Sequence, residues 1–219
     1  MRIPALFQFL SDLKTHNSKD WFDANRKEYQ LLREEFLLFI SEVLIELGKI
    51  DDRFSAMNPS KCIFRINRDI RFSKNKDPYK TNFGMNLNLS GSKDFFCGMY
   101  LHLEPENTFF AGGTYLPPPA ILQSIRQEID YNSNDFKKIV ESKTFIKVFG
   151  GITGDTLSRP PKGYEADNEM IKFIKLKSFI AEKKFSEIDI SSDQLKDLVV
   201  EYSKLIMPLN NFLLTANNH

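Results

Sequence analysis

The sequence predicts an α+β fold in which an antiparallel sheet packs against N-terminal, central and C-terminal helices. Three observations predict it. Apolar residues recur at helical spacing before residue 50, they alternate with polar residues between about 61 and 115, and helical spacing then returns. We expect four or more strands, in about residues 61–115 plus short strands in 145–185.

The N-terminal region should be helical. Pro4 suits the first turn of a short helix, and a longer helix should begin after Asn17 or Ser18, either of which can cap it. Gly48 would end this second helix. Its apolar stripe comprises Phe22, Tyr29, Leu32, Phe36, Phe39, Ile40, Val43, Leu44 and Leu47.

Alternation with a period of two predicts the strands. In residues 83–89, Phe, Met and Leu alternate with Gly and Asn, and residues 99–103 show a similar pattern. Two more strands are expected at 62–66 and 108–111, with turns at 90–92 and 104–107. The simplest arrangement of these strands is an antiparallel meander.

Helical spacing marks the region after the sheet and the end of the chain. The run Pro117-Pro118-Pro119 suits the beginning of a helix, and a last helix is expected from about Leu195. Ser192 is a candidate cap of that helix, and Pro208 should kink or end it. One short helix is also expected near 167–174.

Composition is that of an ordinary globular protein, with 42% hydrophobic and 27% charged residues. The 219 residues can bury a full core, and we expect one domain spanning 1–219.

No stretch approaches the roughly 20 apolar residues of a membrane-spanning helix, and no signal-peptide pattern opens the chain, so we expect a cytoplasmic protein without membrane contact. Cys62 and Cys97 are expected to be buried free thiols.

Positive charge is concentrated in one segment. The formal net charge of the chain is only +1, which argues against a wholesale nucleic-acid binder. Residues 61–80, however, contain seven Lys or Arg and two Asp, so their net charge is +5 and that of the remaining chain is −4. One basic segment therefore lies on a mildly acidic body.

The arginines of this segment favour anion binding. A guanidinium presents a planar fork of donors that matches phosphate or carboxylate oxygens, and an intervening aspartate can hold one such fork in a fixed rotamer. The predicted ligand-binding residues are Arg65, Arg68, Asp69, Arg71, Ser73, Tyr79, Lys80 and Arg126. The alternative is that the same charges form internal salt bridges that pin a long loop to the body.

A row of polar residues on the predicted sheet offers weaker catalytic candidates. Tyr100, His102 and Glu104 alternate along one strand and would therefore lie on one face. Histidine titrates near neutrality, and Glu104 would serve as its partner or as a general base. An ordinary solvated role is the alternative. The preceding strand would present Asn82, Asn86 and Asn88 on its polar side.

Several motifs occur together in this chain: Trp21-Phe22, the run 64–80, Gly112-Gly113-Thr114-Tyr115, Arg126 and Pro161-Lys162-Gly163-Tyr164. With them the chain resembles, over nearly its full length, the domain of unknown function 2461 family of bacteria and fungi. The resemblance implies one domain and brings no known activity. The resemblance implies a His-Pro pair at the positions where this chain has Asn168-Glu169, and an arginine where it has Lys175. If a histidine at the first of these positions transferred protons in the family, this chain would lack it. We therefore assign no catalytic role to Asn168.

Metal and cofactor motifs are not evident. His16, His102 and His219 lie far apart in sequence, and no Cys-x-x-Cys pair exists. The glycine-rich residues 150–154 lack the Gly-Lys-Ser/Thr ending of a phosphate-binding loop. The sequence therefore predicts no metal site and identifies no cofactor.

Three functions fit these observations. The first is an anion-binding domain, with or without catalysis, whose ligand is a small molecule bearing a phosphate or a carboxylate. The second is a protein-interaction or structural domain whose basic segment is an internal pin. The third, which the near-neutral charge makes least favoured, is a nucleic-acid-binding module in which Phe72, Tyr79 or Tyr100 stacks on bases.

Overall fold

The computed structural model describes residues 1–186, 190 and 194–216, and it confirms the α+β class. About 50% of the chain is helical and 14% is strand. The strands are β1 (Phe83–Asn88), β2 (Gly98–Leu103), β3 (Phe109–Thr114) and β4 (Phe179–Lys184). They form one antiparallel sheet in the order β1-β2-β3-β4, a meander that contains three of the four strands expected in it.

In sequence, the helices lie before the first strand, between the third and fourth strands and after the fourth strand. They are α1 (Ile3–Thr15), α2 (Lys19–Ala24), α3 (Arg26–Gly48), α4 (Asp52–Ser55), α5 (Pro119–Tyr131), α6 (Ser133–Val140), α7 (Lys143–Phe149), α8 (Ile171–Ile174) and α9 (Leu195–Thr215), with a 3-10 turn at Pro59–Lys61. No helix of the described residues is long and apolar enough to cross a membrane.

The predicted long N-terminal helix is wrong in one respect, because it is two helices. Ser18 caps α2 by accepting a hydrogen bond from the backbone N–H of Trp21. Asn25 then ends α2 and precedes α3, and its side-chain amide donates to the Trp21 carbonyl. This local bond offers the backbone an alternative to continuing the helix.

The predicted strand at 62–66 is also wrong. These residues make only an isolated antiparallel bridge, between Ile63 and Met85, although Phe64 N–H donates to the Gly84 carbonyl. The pairing is brief because the chain turns away to pair with residues near 79. The fourth strand is instead β4, which lies in the region where short strands were expected.

The last helix continues through Pro208 instead of ending there. Leu209 and Leu213 follow the proline and are fully buried, so packing holds the segment helical. The candidate cap Ser192 lies outside the described residues.

The chain divides into two compact units. The first comprises Met1–Leu87, Tyr100–Phe110 and Lys184–Val200, and the second comprises Asn88–Met99, Ala111–Lys183 and Glu201–His219. The expectation of a single domain stays a prediction.

In the first unit, α3 packs against β1 through aromatic rings. The ring centroids of Phe36 and Phe83 lie 5.6 Å apart, and Tyr29 meets Phe83 edge-on at 6.0 Å. Phe36 is fully buried, so this contact belongs to the core of the unit. Cys62 is a buried free thiol, and its burial raises the pKa of the thiol.

In the second unit, α9 packs closely on β3. A Cβ atom at Gly112 would lie 2.4 Å from Ile206 Cγ1, so only glycine allows the helix to approach the strand this closely. Phe136 and Phe173 add an edge-on ring contact at 5.0 Å. Cys97 is also buried, is not in a disulfide within the described residues, and belongs to this unit.

Candidate functional site

The basic segment is a short ribbon closed by a loop. Asn67 and Tyr79 form an antiparallel bridge, and Lys80 N–H donates to the Ile66 carbonyl at 2.8 Å. Residues 69–77 form the loop between the two sides. The segment lies wholly in the first unit.

Arg68 holds the loop together from within. Its Nη1 donates to the carbonyl of Asp77 at 3.1 Å, and its Nη2 donates to Ser73 Oγ at 3.4 Å. Both acceptors belong to the same segment, so the Arg68 guanidinium makes its hydrogen bonds within its own loop. The structure brings Arg68 and Ser73 together, through hydrogen bonds within the segment and not through salt bridges to the rest of the chain.

Asp69 and Arg71 form the fork that the sequence suggested for one of the arginines. Arg71 Nη2 lies 2.7 Å from Asp69 Oδ2, and Arg71 Nε donates to Asp69 Oδ1 at 3.0 Å. This fork lowers the pKa of Asp69 and raises that of Arg71. Both side chains are exposed, so solvent screens the pair and it adds little to stability. The neighbouring Phe72 is 95% exposed, with Arg71 Cζ 5.8 Å from its ring centroid.

Tyr79 anchors the ribbon to the N-terminal helices. Its buried ring stacks on Phe22 with centroids 4.1 Å apart. The side chain of Asn17, between α1 and α2, donates to the Tyr79 carbonyl at 3.0 Å and accepts from the Tyr79 N–H at 3.1 Å. Asn17 was a candidate helix cap, but its amide is used here.

Arg126 belongs to the second unit and is almost fully buried. Its Nε donates to the Ile174 carbonyl at 2.8 Å and its Nη2 to the Leu176 carbonyl at 3.2 Å. Burial lowers the pKa of this guanidinium. In the same unit Asn168 accepts from the Met170 N–H, which places Asn168 at the start of α8. Both side chains therefore join elements of the fold.

Arg65 and Lys80 differ from the other cations of this group. Neither makes a side-chain hydrogen bond or an ion pair within the part of the chain that the structure describes. Lys80 is half-buried, with Nζ 5.0 Å from the centroid of the Phe64 ring. Burial and the nearby charge of Arg65 lower the pKa of Lys80. We refer to Arg65, Lys80 and Phe64 as the cation site.

The row of polar residues on β2 is connected by hydrogen bonds. The Tyr100 hydroxyl lies 2.8 Å from Nδ1 of His102, and Nε2 of His102 lies 3.2 Å from Oε2 of Glu104. We call these three residues the polar chain. The structure thus brings His102 and Glu104, the weaker catalytic candidates, into direct contact in the first unit.

The partners of His102 indicate its tautomer. Asn82 Nδ2 approaches Nδ1 at 3.4 Å, so the amide group and the Tyr100 hydroxyl, both donors, face this nitrogen. A carboxylate, which only accepts, faces Nε2. The arrangement fits a neutral imidazole with its proton on Nε2. Tyr100 then donates to Nδ1, and Nε2 donates to Glu104.

Glu104 is held by neutral donors. Thr81 Oγ1 donates to Oε1 at 2.7 Å and Asn107 Nδ2 to Oε2 at 3.1 Å. Burial alone would raise the pKa of Glu104, but the hydrogen bonds from Thr81, Asn107 and His102 outweigh it and lower the pKa. Burial and the charge of Glu104 raise the pKa of Tyr100 to about 12. At neutral pH the carboxylate is therefore ionised and the phenol keeps its proton.

Aromatic rings position the polar chain beside the cation site. Phe109 stacks on His102 at 4.8 Å, and Phe64 meets Tyr100 edge-on at 5.8 Å. A Cβ at Gly84 would lie 3.0 Å from both Phe64 Cδ2 and Tyr100 Oη, so glycine leaves room for these two rings. Phe64 thus contacts the Lys80 ammonium and the Tyr100 ring together.

Sequence reasoning missed several members of this site. Thr81 lies before β1, and its bond to Glu104 depends on the register of two strands. Asn107 lies in the predicted turn, where an asparagine next to a strand end was the only signal. Of the polar asparagines, Asn82 joins the polar chain, whereas Asn86 has a buried Oδ1 without a hydrogen-bond partner among the described residues.

Residues that could hold a metal ion are not clustered in the described ranges 1–186, 190 and 194–216. His16 stacks on Trp21, with centroids 6.2 Å apart. His219 lies outside the described residues.

Comparison with known proteins yields one match. The family model described as "Conserved hypothetical protein (DUF2461)" matches residues 5–212. No curated protein and no solved structure matches the chain. The matched residues include the whole basic segment, the cation site and the polar chain.

Proposed function

The chain belongs to the DUF2461 family of conserved hypothetical proteins, and we propose that it binds a small ligand bearing a phosphate or a carboxylate through Arg65 and Lys80. One observation carries the proposal: Lys80 is a half-buried cation whose near neighbour is a second cation and which has no carboxylate partner in the described residues. An anion placed there would gain attraction from both charges and would offset their mutual repulsion.

The two side chains supply complementary donors. Arginine offers a planar fork that meets two oxygens of one anion, and lysine offers a compact charge with three donors. Phe64 lies under the Lys80 ammonium, so the ligand would meet an apolar surface next to the charge. Such a combination suits a small organic anion better than a bare inorganic ion.

The other three arginines of the predicted set have partners of their own. Arg68 is engaged by its own loop, Arg71 by Asp69, and Arg126 by two backbone carbonyls. The two roles are therefore divided among the arginines. Ligand binding is proposed for Arg65 and Lys80, and a structural role is proposed for Arg68 and Arg126.

Location is part of the proposal. Neither cysteine is in a disulfide within the described residues, which suits a reducing compartment and supports the cytoplasm. We also keep the expectation of a single domain as a proposal.

Binding is tested with a panel of small anions that differ in the organic group that carries the phosphate or carboxylate. Inorganic phosphate, sugar phosphates, nucleoside monophosphates and dicarboxylates are titrated calorimetrically at constant ionic strength. We expect one class to bind with 1:1 stoichiometry and to raise the melting temperature, since a ligand that prefers the folded state stabilises it. If no anion binds, or if Lys74→Met weakens binding as much as Lys80→Met, the proposal is wrong. Lys74 is the matched control because it is an exposed cation of the same segment.

A further inference from the structure

We propose that the polar chain is a nucleophilic site in which the Tyr100 hydroxyl accepts an acyl group while His102 takes the phenol proton. The inference rests on the proposed function for the orientation of the ligand, because the anionic end of the acyl donor would lie at the cation site. It adds a reaction to what is otherwise a binding site.

The geometry matches that of an activated nucleophile. Such sites place a hydroxyl within hydrogen-bond reach of a base, which a third group orients in turn. The Tyr100 hydroxyl is 2.8 Å from His102 Nδ1, and Glu104 Oε2 is 3.2 Å from Nε2. The carboxylate, the imidazole and the phenol follow one another in this order, with Tyr100 and His102 on β2 and Glu104 directly after its end.

The proton positions are also those that a base requires. Nδ1 of His102 receives hydrogen bonds from Tyr100 and Asn82, so its lone pair already faces the phenol. When the phenol proton moves to Nδ1, the imidazole becomes a cation, and the ionised Glu104 beside Nε2 stabilises it. Glu104 acts through His102 and is therefore a positioning residue.

The surroundings hold these groups in place before a ligand arrives. Phe109 stacks on the imidazole, and Thr81 and Asn107 fix the Glu104 carboxylate. Groups held in this way need little reorganisation during the reaction, which favours catalysis over mere solvation. The polar chain is also largely covered, with His102 only 14% exposed.

An acyl donor is the electrophile that the charges favour. The ionised Glu104 would repel a doubly charged phosphoryl group that approached Tyr100, whereas the carbonyl carbon of an acyl group is uncharged. The donor is therefore an ester or acyl phosphate whose negative charge lies outside the reacting carbonyl group and is bound at Lys80 and Arg65.

The step balances without a further reagent. Tyr100 Oη forms a bond to the carbonyl carbon, the bond from this carbon to the leaving oxygen breaks, and the phenol proton moves through His102 Nδ1 to that oxygen. Water then cleaves the acyl-tyrosine, with His102 as the base, and restores the phenol. The net reaction is hydrolysis of the acyl donor.

A neutral ester tests the nucleophile independently of the cation site. Mixing the full chain with p-nitrophenyl acetate should release a burst of one p-nitrophenolate per chain, with the acetyl group found on Tyr100 by peptide mass spectrometry. Tyr100→Phe should abolish this burst. His102→Gln should slow it by about 100-fold, as expected for loss of a general base.

Controls separate this reaction from adventitious acetylation. Tyr115→Phe removes a phenol that is 67% exposed and should leave the burst unchanged. Should His102→Gln fail to fold by near-ultraviolet circular dichroism, Glu104→Gln replaces it. That variant should slow the burst, and nitrogen NMR of His102 should show the proton partly moved to Nδ1. Acetylation only of lysines or of Tyr115, or an unchanged burst in these variants, would overturn the proposal.

A charged donor separates this proposal from the one on which it rests. Acetyl phosphate should acetylate Tyr100 in the wild type, and Lys80→Met should slow this reaction without changing the burst with the neutral ester. If the neutral ester reacts but acetyl phosphate shows no dependence on Lys80, the nucleophile stands and the cation site fails. If neither donor acetylates Tyr100, the nucleophile fails whatever the anion titrations show.

Discussion

The Tyr100 hydroxyl lies 2.8 Å from His102 Nδ1, and the opposite nitrogen of the same ring faces Glu104. The phenol is therefore the proton donor of the pair, and the imidazole is the acceptor. Because the pKa of Tyr100 is about 12, the phenol keeps its proton throughout the neutral range. Tyr100 and His102 thus form a defined acid–base pair on the face of β2.

The Tyr100 phenol should make the protein less stable as the pH becomes alkaline. The phenol titrates near 10 in the unfolded chain and near 12 in the folded one, so the folded state binds more protons between these values. Stability from this group is present below pH 10 and is lost as the pH rises through 12. In Tyr100→Phe, the loss of unfolding free energy between pH 9 and pH 12 should be smaller than in the wild type by on the order of 2 kcal/mol, as measured by urea unfolding. Equal slopes in the two proteins would contradict the assignment.

Lys80→Met should separate function from stability. The charge is half-buried near another cation, so its removal relieves repulsion, while the methionine can still cover Phe64. We expect anion binding to be lost and the melting temperature to stay the same or rise, as measured by calorimetry. A clear fall in melting temperature would indicate that Lys80 is mainly structural.

Gly84→Ala should disturb the cation site and the polar chain together. The added methyl group would lie 3.0 Å from Phe64 and Tyr100, so both rings must move. Overpacking of this kind costs about 1–3 kcal/mol, which urea unfolding measures. The burst with p-nitrophenyl acetate should fall as well, because the Tyr100 hydroxyl would be displaced from His102.

Asn17→Ala should loosen the ribbon. The variant loses both hydrogen bonds to the backbone of Tyr79, at a cost of about 1–3 kcal/mol. Hydrogen exchange of the Tyr79 amide should become faster. Asn75→Ala is the matched control, because Asn75 accepts a hydrogen bond only from Asp77 in the exposed loop. Comparable exchange in the two variants would show that Asn17 is not the anchor.

Substitution by methionine should destabilise the protein at Arg126, which is buried, but not at Arg71, which is exposed. Arg126→Met leaves two backbone carbonyls without their donor in a buried position and should cost about 1–3 kcal/mol of unfolding free energy. Arg71→Met removes an exposed pair and should leave the melting temperature unchanged. A reversed order would contradict the structural role of Arg126.

Much of the sheet could be predicted because one face of each strand is buried. Alternating burial along β1 and β2 leaves a period of two in the sequence, and the same period places Tyr100, His102 and Glu104 together. Residues 62–66 resemble a strand equally well, yet they pair only briefly. The length of strand pairing at 62–66 depends on the direction of the chain after these residues. The period of two in the sequence does not predict that direction.

The candidate site was harder to predict because charge alone does not show which groups are paired. Arg71 and Lys80 are both cations of one basic segment, but Arg71 has a carboxylate two residues away and Lys80 lies on an aromatic ring. The contacts of Thr81 and Phe109 depend on strand register, which the sequence leaves open. The family resemblance was confirmed, whereas the roles of the site residues stay predictions.

The stacking of Tyr79 on Phe22 has a practical consequence for detection. Trp21, the single tryptophan of the chain, precedes Phe22 and contacts Phe9 and His16. The chain therefore carries a natural fluorophore one residue before Phe22, which stacks on the Tyr79 ring that anchors the ribbon. We expect its emission to report movement of the Phe22–Tyr79 stack, without any dye attached to the protein.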